Sequence, residues 1–321
     1  MFDVSVVIPA RDAGATLAAT LDALDQQTLD RSRFEVIVVD DGSVDDTAAV
    51  ATRPGVTLVR RPAPSGAGEA RNAGVAQAAA ELLAFTDADC RPTPSWLAEG
   101  LNALDSADLV QGAVAPDPGP EPRPYDRWVS ISEDDGTYTT ASLFVKRAFF
   151  QQVGGFQVPP LHDNGRLAVD AQGKRAPVGE DTWLGWRLRR AGARPAFAPD
   201  AMVHHAVLRR GAAEYISEHA RRRHAPGFLL AIPELRRASF VWRGLFVNRR
   251  SPLVDLAVAG ILVAALTRDG RPLTVAAPYG ALVARDAARL GPRVTGARVV
   301  ADAVGFVALM SGNVRYRTLL L

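Results

Sequence analysis

The chain has 321 residues, 48% of them hydrophobic and 22% charged, with a formal net charge of +2. That composition supports a sizeable core and excludes disorder and collagen-like repeats, while the length suits one large domain with an appendage. One cysteine, Cys90, excludes a disulfide framework and any cysteine-based zinc site, because both need several thiols.

The small net charge conceals an asymmetry. Residues 1–200 hold 28 acids and 19 bases, whereas residues 201–321 hold 7 acids and 18 bases. The first part is suited to holding a cation, and the second is either a solvated basic face or one that meets phosphates or an anionic membrane. The opening MFDVSVVIPARD has no basic n-region and is apolar only over a strand's length, so it does not read as a signal peptide, and a cytoplasmic location is expected.

In chain order, Val4 to Ile8 is an apolar run suited to a strand buried on both faces, and Pro9 ends it. Leu17, Leu21 and Leu24 share one stripe of a helix. FEVIVVDDGS supplies a second strand with an acidic turn, TLVRR a weaker third, GEARNAGVAQAAA an Ala-rich helix and LLAFTDADC a fourth strand. This alternation predicts a parallel sheet with helices on its faces, and right-handed crossovers bring the four carboxyl ends to one edge. In open α/β sheets the ligand crevice lies at that edge. The turns Pro9 to Asp12, Asp40 to Ser43 and Asp87 to Asp89 therefore converge.

Residues 113–127 carry five prolines and read as a surface loop. TASLFVKRAFFQQVGGF predicts a strand and a short helix, residues 162–179 a mobile polar loop, and GEDTWLGWRLRRAG a helix ended by Gly192. The character changes after about residue 225. The apolar stretches near 256–266, 273–284 and 299–310 are shorter than the roughly 17 to 25 residues of a spanning helix, so they read as core or membrane-surface helices, with a re-entrant hairpin as the alternative.

Each candidate motif admits a structural and a chemical reading. Asp87 and Asp89, two residues apart at a strand end, form either a solvated turn or a pair facing Mg²⁺ or Mn²⁺ with a substrate diphosphate. Asp40 to Ser43 form either a strand-to-helix turn or a contact to a nucleobase or ribose. Arg71 is either surface-exposed or paired with phosphate. Glu180 and Asp181 serve the helix dipole, or one of them faces the crevice as a proton acceptor. His204 and His205 are either structural or supply a nitrogen ligand. Neither GxGxxG after a strand nor GxxxxGK[ST] occurs, so dinucleotide and P-loop sites are unsupported.

Taken in order, VSVVIPARDA, VVDDGS, ARNAG, FTDADC, VKRAFFQQVGGF, GEDTWLGWRLRRAG and AMVHH resemble the family 2 glycosyltransferases from residue 3 to about 225. The resemblance implies the GT-A fold, an α/β architecture with a mixed, mainly parallel sheet, covering a catalytic domain at 1–225 and leaving a helical region at 226–321. It implies transfer of a sugar from a nucleoside diphosphate sugar to a hydroxyl acceptor, lipid-linked or glycan, with inversion. It also implies site roles: Pro9, Arg11, Asp40 and Asp41 at the nucleotide, Asp87 near ribose and metal, and Asp89 as metal ligand. His205 matches a third metal ligand of some members and Asp181 the base. Arg71 joins the metal in neutralising the diphosphate, and Glu180 flanks the substrate.

Thr140, Ala141 and Ser142 replace the Gly-Asn pair of many relatives, which removes the usual sugar contact. QxxRW is missing after Asp181 and long spanning helices are not expected, so transfer of a single sugar is favoured over polymerisation. Between Arg209 and Arg250 lie ten arginines against three glutamates, with Phe228, Leu229, Phe240, Trp242 and Phe246 interleaved. This pattern fits a monotopic surface on anionic lipid better than nucleic acid, for which no motif is present. Two rivals stand beside this reading. One is a phosphatase-type hydrolase using DADC as an aspartyl nucleophile, disfavoured by Arg91 where a small residue is needed. The other is a sugar-nucleotide-binding module without catalysis.

Overall fold

The computed structural model describes residues 2–119, 121–160, 162–163, 166–167, 179–238 and 241–321. It divides into two compact units. One comprises Met1–Pro120, Trp128–Pro159 and Pro177–Val207; the other comprises Glu121–Arg127, Pro160–Ala176 and Leu208–Leu321. The sequence-based boundary at 225 differs from the division at 207/208 because α7 (Ala212–His219) packs on the last helix, α11 (Pro292–Tyr316), within the second unit.

The first unit is built on an eight-stranded sheet. β1 (Val4–Ala10), β2 (Phe34–Asp40), β3 (Val56–Arg60) and β4 (Leu82–Phe85) pair in parallel, as expected. β5 (Cys90–Pro92), β6 (Leu109–Pro116), β7 (Leu143–Lys146) and β10 (Pro195–His205) complete the order β3-β2-β1-β4-β7-β6-β10-β5. β7 runs antiparallel between β4 and β6, β10 is parallel to β6, and β5 is antiparallel to β10. The sheet is therefore mixed and mainly parallel. The chain leaves β1 toward β2 and β3, then returns to the other side of β1 through β4, which makes the β1/β4 crevice the switch point.

Side chains alternate across the sheet. Val4, Val6 and Ile8 join Leu17, Leu21 and Leu24 of α1 (Gly14–Asp25) and Trp96 and Leu97 of α4 (Trp96–Leu104) in one core. Val7, Ile37 and Val39 face the opposite core, with Ala70 and Val75 of α3 (Ala67–Gln77), Phe150 of α5 (Arg147–Gln152) and Leu184 and Leu188 of α6 (Glu180–Arg190). Each fully buried Val, Leu, Ile or Phe side chain among them contributes about 1.5–3 kcal/mol. Gly74 lets α3 lie close to the sheet, since a Cβ there would stand 2.5 Å from Val7 Cγ1. The short α2 (Thr47–Ala51) follows the second acidic turn.

Two expectations change here. The apolar run through LLAFTDADC is not one strand: β4 stops at Phe85, and Cys90 begins β5, which pairs with β10 at the sheet's edge. Residues 113–116 are strand rather than loop, because Val114 exchanges backbone hydrogen bonds with Ile131 and β10 flanks the other side. A two-stranded ladder, β8 (His162–Asp163) with β9 (Arg166–Leu167), interrupts 162–179; the rest of that predicted loop lies outside the described residues up to Gly179.

In the second unit, α8 (Ala225–Ala231), α9 (Ser251–Thr267) and α10 (Ala277–Leu290) pack with α7 on α11. Arg250 binds Asp302 and Asp286, both at 2.7 Å, and Tyr279 donates to Asp302. The 299–310 stretch is part of a 25-residue helix, longer than its apolar run suggested, so α11 is long and apolar enough to cross a membrane by length and composition. Leu256, Ile261, Leu262, Val263, Leu266, Leu273 and Val275 are exposed.

Candidate active site

The β1–α1 and β2–α2 turns are stitched together at the carboxyl edge. Asp41 N–H donates to Ala10 O at 2.8 Å, Asp12 N–H to Ser43 Oγ at 3.0 Å, and Val44 N–H to Asp12 Oδ1 at 2.9 Å. Pro9 is half-buried at the end of β1, while Arg11 is exposed and 3.8 Å from Asp12.

Asp40 and Asp41 are both buried. The Asp40 carboxylate accepts from Ser43 N–H at 2.9 Å and lies 3.6 Å from Arg60. Asp41 reaches the loop before α3, where Ser65 N–H, Ser65 Oγ and Gly66 N–H all donate to it within 3.0 Å. Gly66, at φ +98°, supplies the backbone conformation this needs. Burial pushes Asp41 up, but these hydrogen bonds, with Arg61 at 3.2 Å, outweigh it and hold the carboxyl below its ordinary value. The DDGS turn thus has a full structural role.

Arg71 of α3 is buried rather than exposed. Its Nη2 donates to Asp87 Oδ1 at 2.7 Å and its Nη1 to Glu180 Oε1 at 3.4 Å, with the guanidinium 5.4 Å from the Phe156 ring. Burial disfavours the charge, yet Asp87 and Glu180 outweigh it and keep the group a firm cation. The fork predicted to meet phosphate joins two carboxylates, one from the DAD turn and one from α6.

Asp181 follows Glu180 in the first turn of α6 and accepts from Thr182 N–H at 2.7 Å. Loss of water and the neighbouring Glu180 charge push it up to about 7, only partly countered by Thr182 and Arg71. Asp87 also acts on it electrostatically. Asp87, Arg71, Glu180 and Asp181 therefore form one electrostatic neighbourhood.

The other arm of the turn meets β10. Asp89 O accepts from Ala206 N–H at 2.9 Å, and His205 Nε2 lies 3.7 Å from Asp89 Oδ2. His205 Nδ1 is 2.8 Å from Ala206 O, so Nδ1 donates to that carbonyl and Nε2 is the ring nitrogen that faces Asp89. His204 points away, with Nδ1 buried and without a hydrogen-bond partner among the described residues. Asp89, Cys90 and His205 bring one ligand atom each to within 4.8 Å of one another. Cys90 was missed by sequence reasoning. Only its direct pairing with His205 across β5 and β10 reveals it. Ser142 is buried and structural, accepting from Trp96 Nε1 and donating to Ala201 O, both at 2.9 Å.

Residues 5–157 match the family model described as Glycosyl transferase family 2. That match covers just under half of the chain, which over those residues is similar to this family. It is 31% identical to glycosyltransferase AglE of Haloferax volcanii over 168 residues, covering 48% of this chain and 55% of AglE. It is 29% identical to the pre-mycofactocin glycosyltransferase of Mycobacterium tuberculosis over 224 residues, covering 63% and 42%. The chain thus spans about half the length of these relatives. Among solved structures, the mannosyltransferase PcManGT of Pyrobaculum calidifontis, in complex with GDP-Man and Mn²⁺, superposes with a TM-score of 0.58 at 20% identity, covering 96% of this chain and 86% of that one. S. aureus TarS 1–349 with UDP-GlcNAc gives 0.54 at 16% identity, covering 99% and 93%. These likenesses establish the GT-A fold for this chain.

Proposed function

We propose that the protein transfers one sugar from a nucleoside diphosphate sugar to a hydroxyl acceptor, lipid-linked or glycan, with inversion at the anomeric carbon. The observation that carries this reading is the meeting of Asp87 and Glu180 on Arg71, which brings the strand-end acids beside the raised carboxyl of Asp181. Asp181 takes the acceptor proton as the acceptor oxygen bonds to the anomeric carbon, and the bond to the diphosphate breaks on the opposite face. A carboxyl near 7 suits that task at neutral pH, being both available and basic enough.

Asp89 and His205 at 3.7 Å, with Asp87 two residues away, supply hard oxygen and imidazole donors that fit Mn²⁺ or Mg²⁺. Such an ion, when bound, supplies positive charge against the departing diphosphate. Arg71 positions Asp87 and Glu180 for this work. Pro9, Arg11, Asp40 and Asp41 line the nucleotide end, Asp41 by fixing the Ser65–Gly66 loop. The nucleotide sugars held by PcManGT and TarS support the donor class.

The exposed apolar side chains and the arginines of the second unit support a peripheral seat on an anionic membrane, at the inner face of the cell membrane. A thermal-shift screen of nucleoside diphosphates with and without Mn²⁺ tests the donor site: one diphosphate should raise Tm, and more so with the ion. Asp181→Asn should keep that shift and lose transfer. Full-rate transfer by this variant would sink the base assignment.

A further inference from the structure

The metal end of the crevice carries a thiol that the hard-ion reading does not use. Cys90 and His205 are direct partners in the antiparallel β5/β10 ladder, and directly opposed residues send their side chains to the same face. The Ala206 N–H to Asp89 O bond fixes the neighbouring backbone. Asp89, Cys90 and His205 thus bring oxygen, sulfur and nitrogen donors within 4.8 Å of one another. The 3.7 Å between His205 and Asp89 is close to the separation of about 3.3 Å between two ligands of a tetrahedral ion, so a few tenths of an ångström closes it. Cys90 and His205 are buried while the Asp89 side chain is 27% exposed, which gives an ion an entry from solvent.

We propose that Asp89, Cys90 and His205 form a site for a soft divalent cation, Zn²⁺ in the first instance, which excludes the hard ion from the same turn and so holds the enzyme inactive. An S, N, O donor set favours zinc and its softer relatives over manganese or magnesium, and affinity for a given site rises from Mn²⁺ toward Zn²⁺. On binding, the sulfur–hydrogen bond is replaced by a sulfur–metal bond and the proton leaves to solvent. This revises the expectation that a lone cysteine excludes zinc: that expectation holds for sites built of several thiols, and here the other two donors are a carboxylate and an imidazole. The inference rests on reading the DAD turn as a cation site.

The test uses the full chain. Titration with Cd²⁺ or Co²⁺ should produce a thiolate-to-metal charge-transfer absorption, lost in Cys90→Ser. Zn²⁺ affinity should fall roughly tenfold or more in Cys90→Ser and in His205→Asn. X-ray absorption of the zinc-loaded wild type should find one sulfur at about 2.3 Å, which requires no variant to fold. Bound Mn²⁺, followed by the EPR signal it releases, should be displaced by Zn²⁺. If Mn²⁺ binds and Zn²⁺ displaces it with no sulfur in the zinc shell, this inference is overturned and the hard-ion site stands. If the sulfur shell forms but Mn²⁺ never binds, the hard-ion reading fails and competition at this turn fails with it. If neither ion binds, both are overturned.

Discussion

Two acidic turns flank this crevice, and the chain treats them in opposite ways. At Asp40–Asp41 the protein surrounds carboxylates with its own N–H and O–H donors, so Asp41 is held below its ordinary value. At Glu180–Asp181 it sets two carboxyls side by side, pairs Arg71 with Glu180 and not with Asp181, and Asp181 rises to about 7. Environments that push like groups apart are how one site acquires both a fixed anchor and a working proton acceptor.

The largest expected effect comes from removing the acceptor. Asp181→Asn should lower kcat by about 10²- to 10⁴-fold with little change in donor affinity, and wild-type kcat should rise with pH through about 7. Steady-state rates across pH check both. Breaking the bridge between the DAD turn and α6 comes next: Arg71→Met leaves Asp87 and Glu180 without their buried cation, and about 3–5 kcal/mol of stability should be lost in urea titrations. At the anchored turn, Asp41→Ala orphans the Ser65 and Gly66 N–H groups and should cost about 1–3 kcal/mol, together with weaker nucleoside diphosphate binding.

The comparison sharpens in the pH dependence of stability. Asp181, raised on folding, contributes stability below its ordinary value that is lost as pH rises through about 7, so Asp181→Asn should gain Tm over wild type above neutrality and not in acid. Asp41, lowered on folding, contributes stability above its ordinary value that is lost as pH falls through its depressed one, so Asp41→Asn should narrow its deficit in acid. Equal slopes for both variants would erase the contrast. The smallest effect is expected at Arg11→Ala, which should leave Tm unchanged and weaken donor binding only a few-fold, because that side chain is solvated.

Strand periodicity is a local signal, and it made the parallel β1–β4 core legible in the sequence. What escaped is set by partners distant in the chain. The burial of Arg71 depends on Glu180, 109 residues later. The position of Cys90 depends on β10, and the division at 207/208 depends on α7 finding α11. A composition change at 225 marks where the amino acids differ, while packing marks where the chain folds together. The length of α11 escaped for a similar reason: Asp302 and Asn313 interrupt its apolar pattern but are buried, and Asp302 is paired.

The Thr20 hydroxyl of α1 donates to the carbonyl of Ala88, in the middle of the DAD turn, at 3.0 Å from within the core. That bond clamps the backbone of the turn from behind, while Arg71 holds Asp87 and His205 faces Asp89 on either side of it. A quiet exchange at residue 20, such as Thr20→Val, offers a way to retune the turn without altering a single charge.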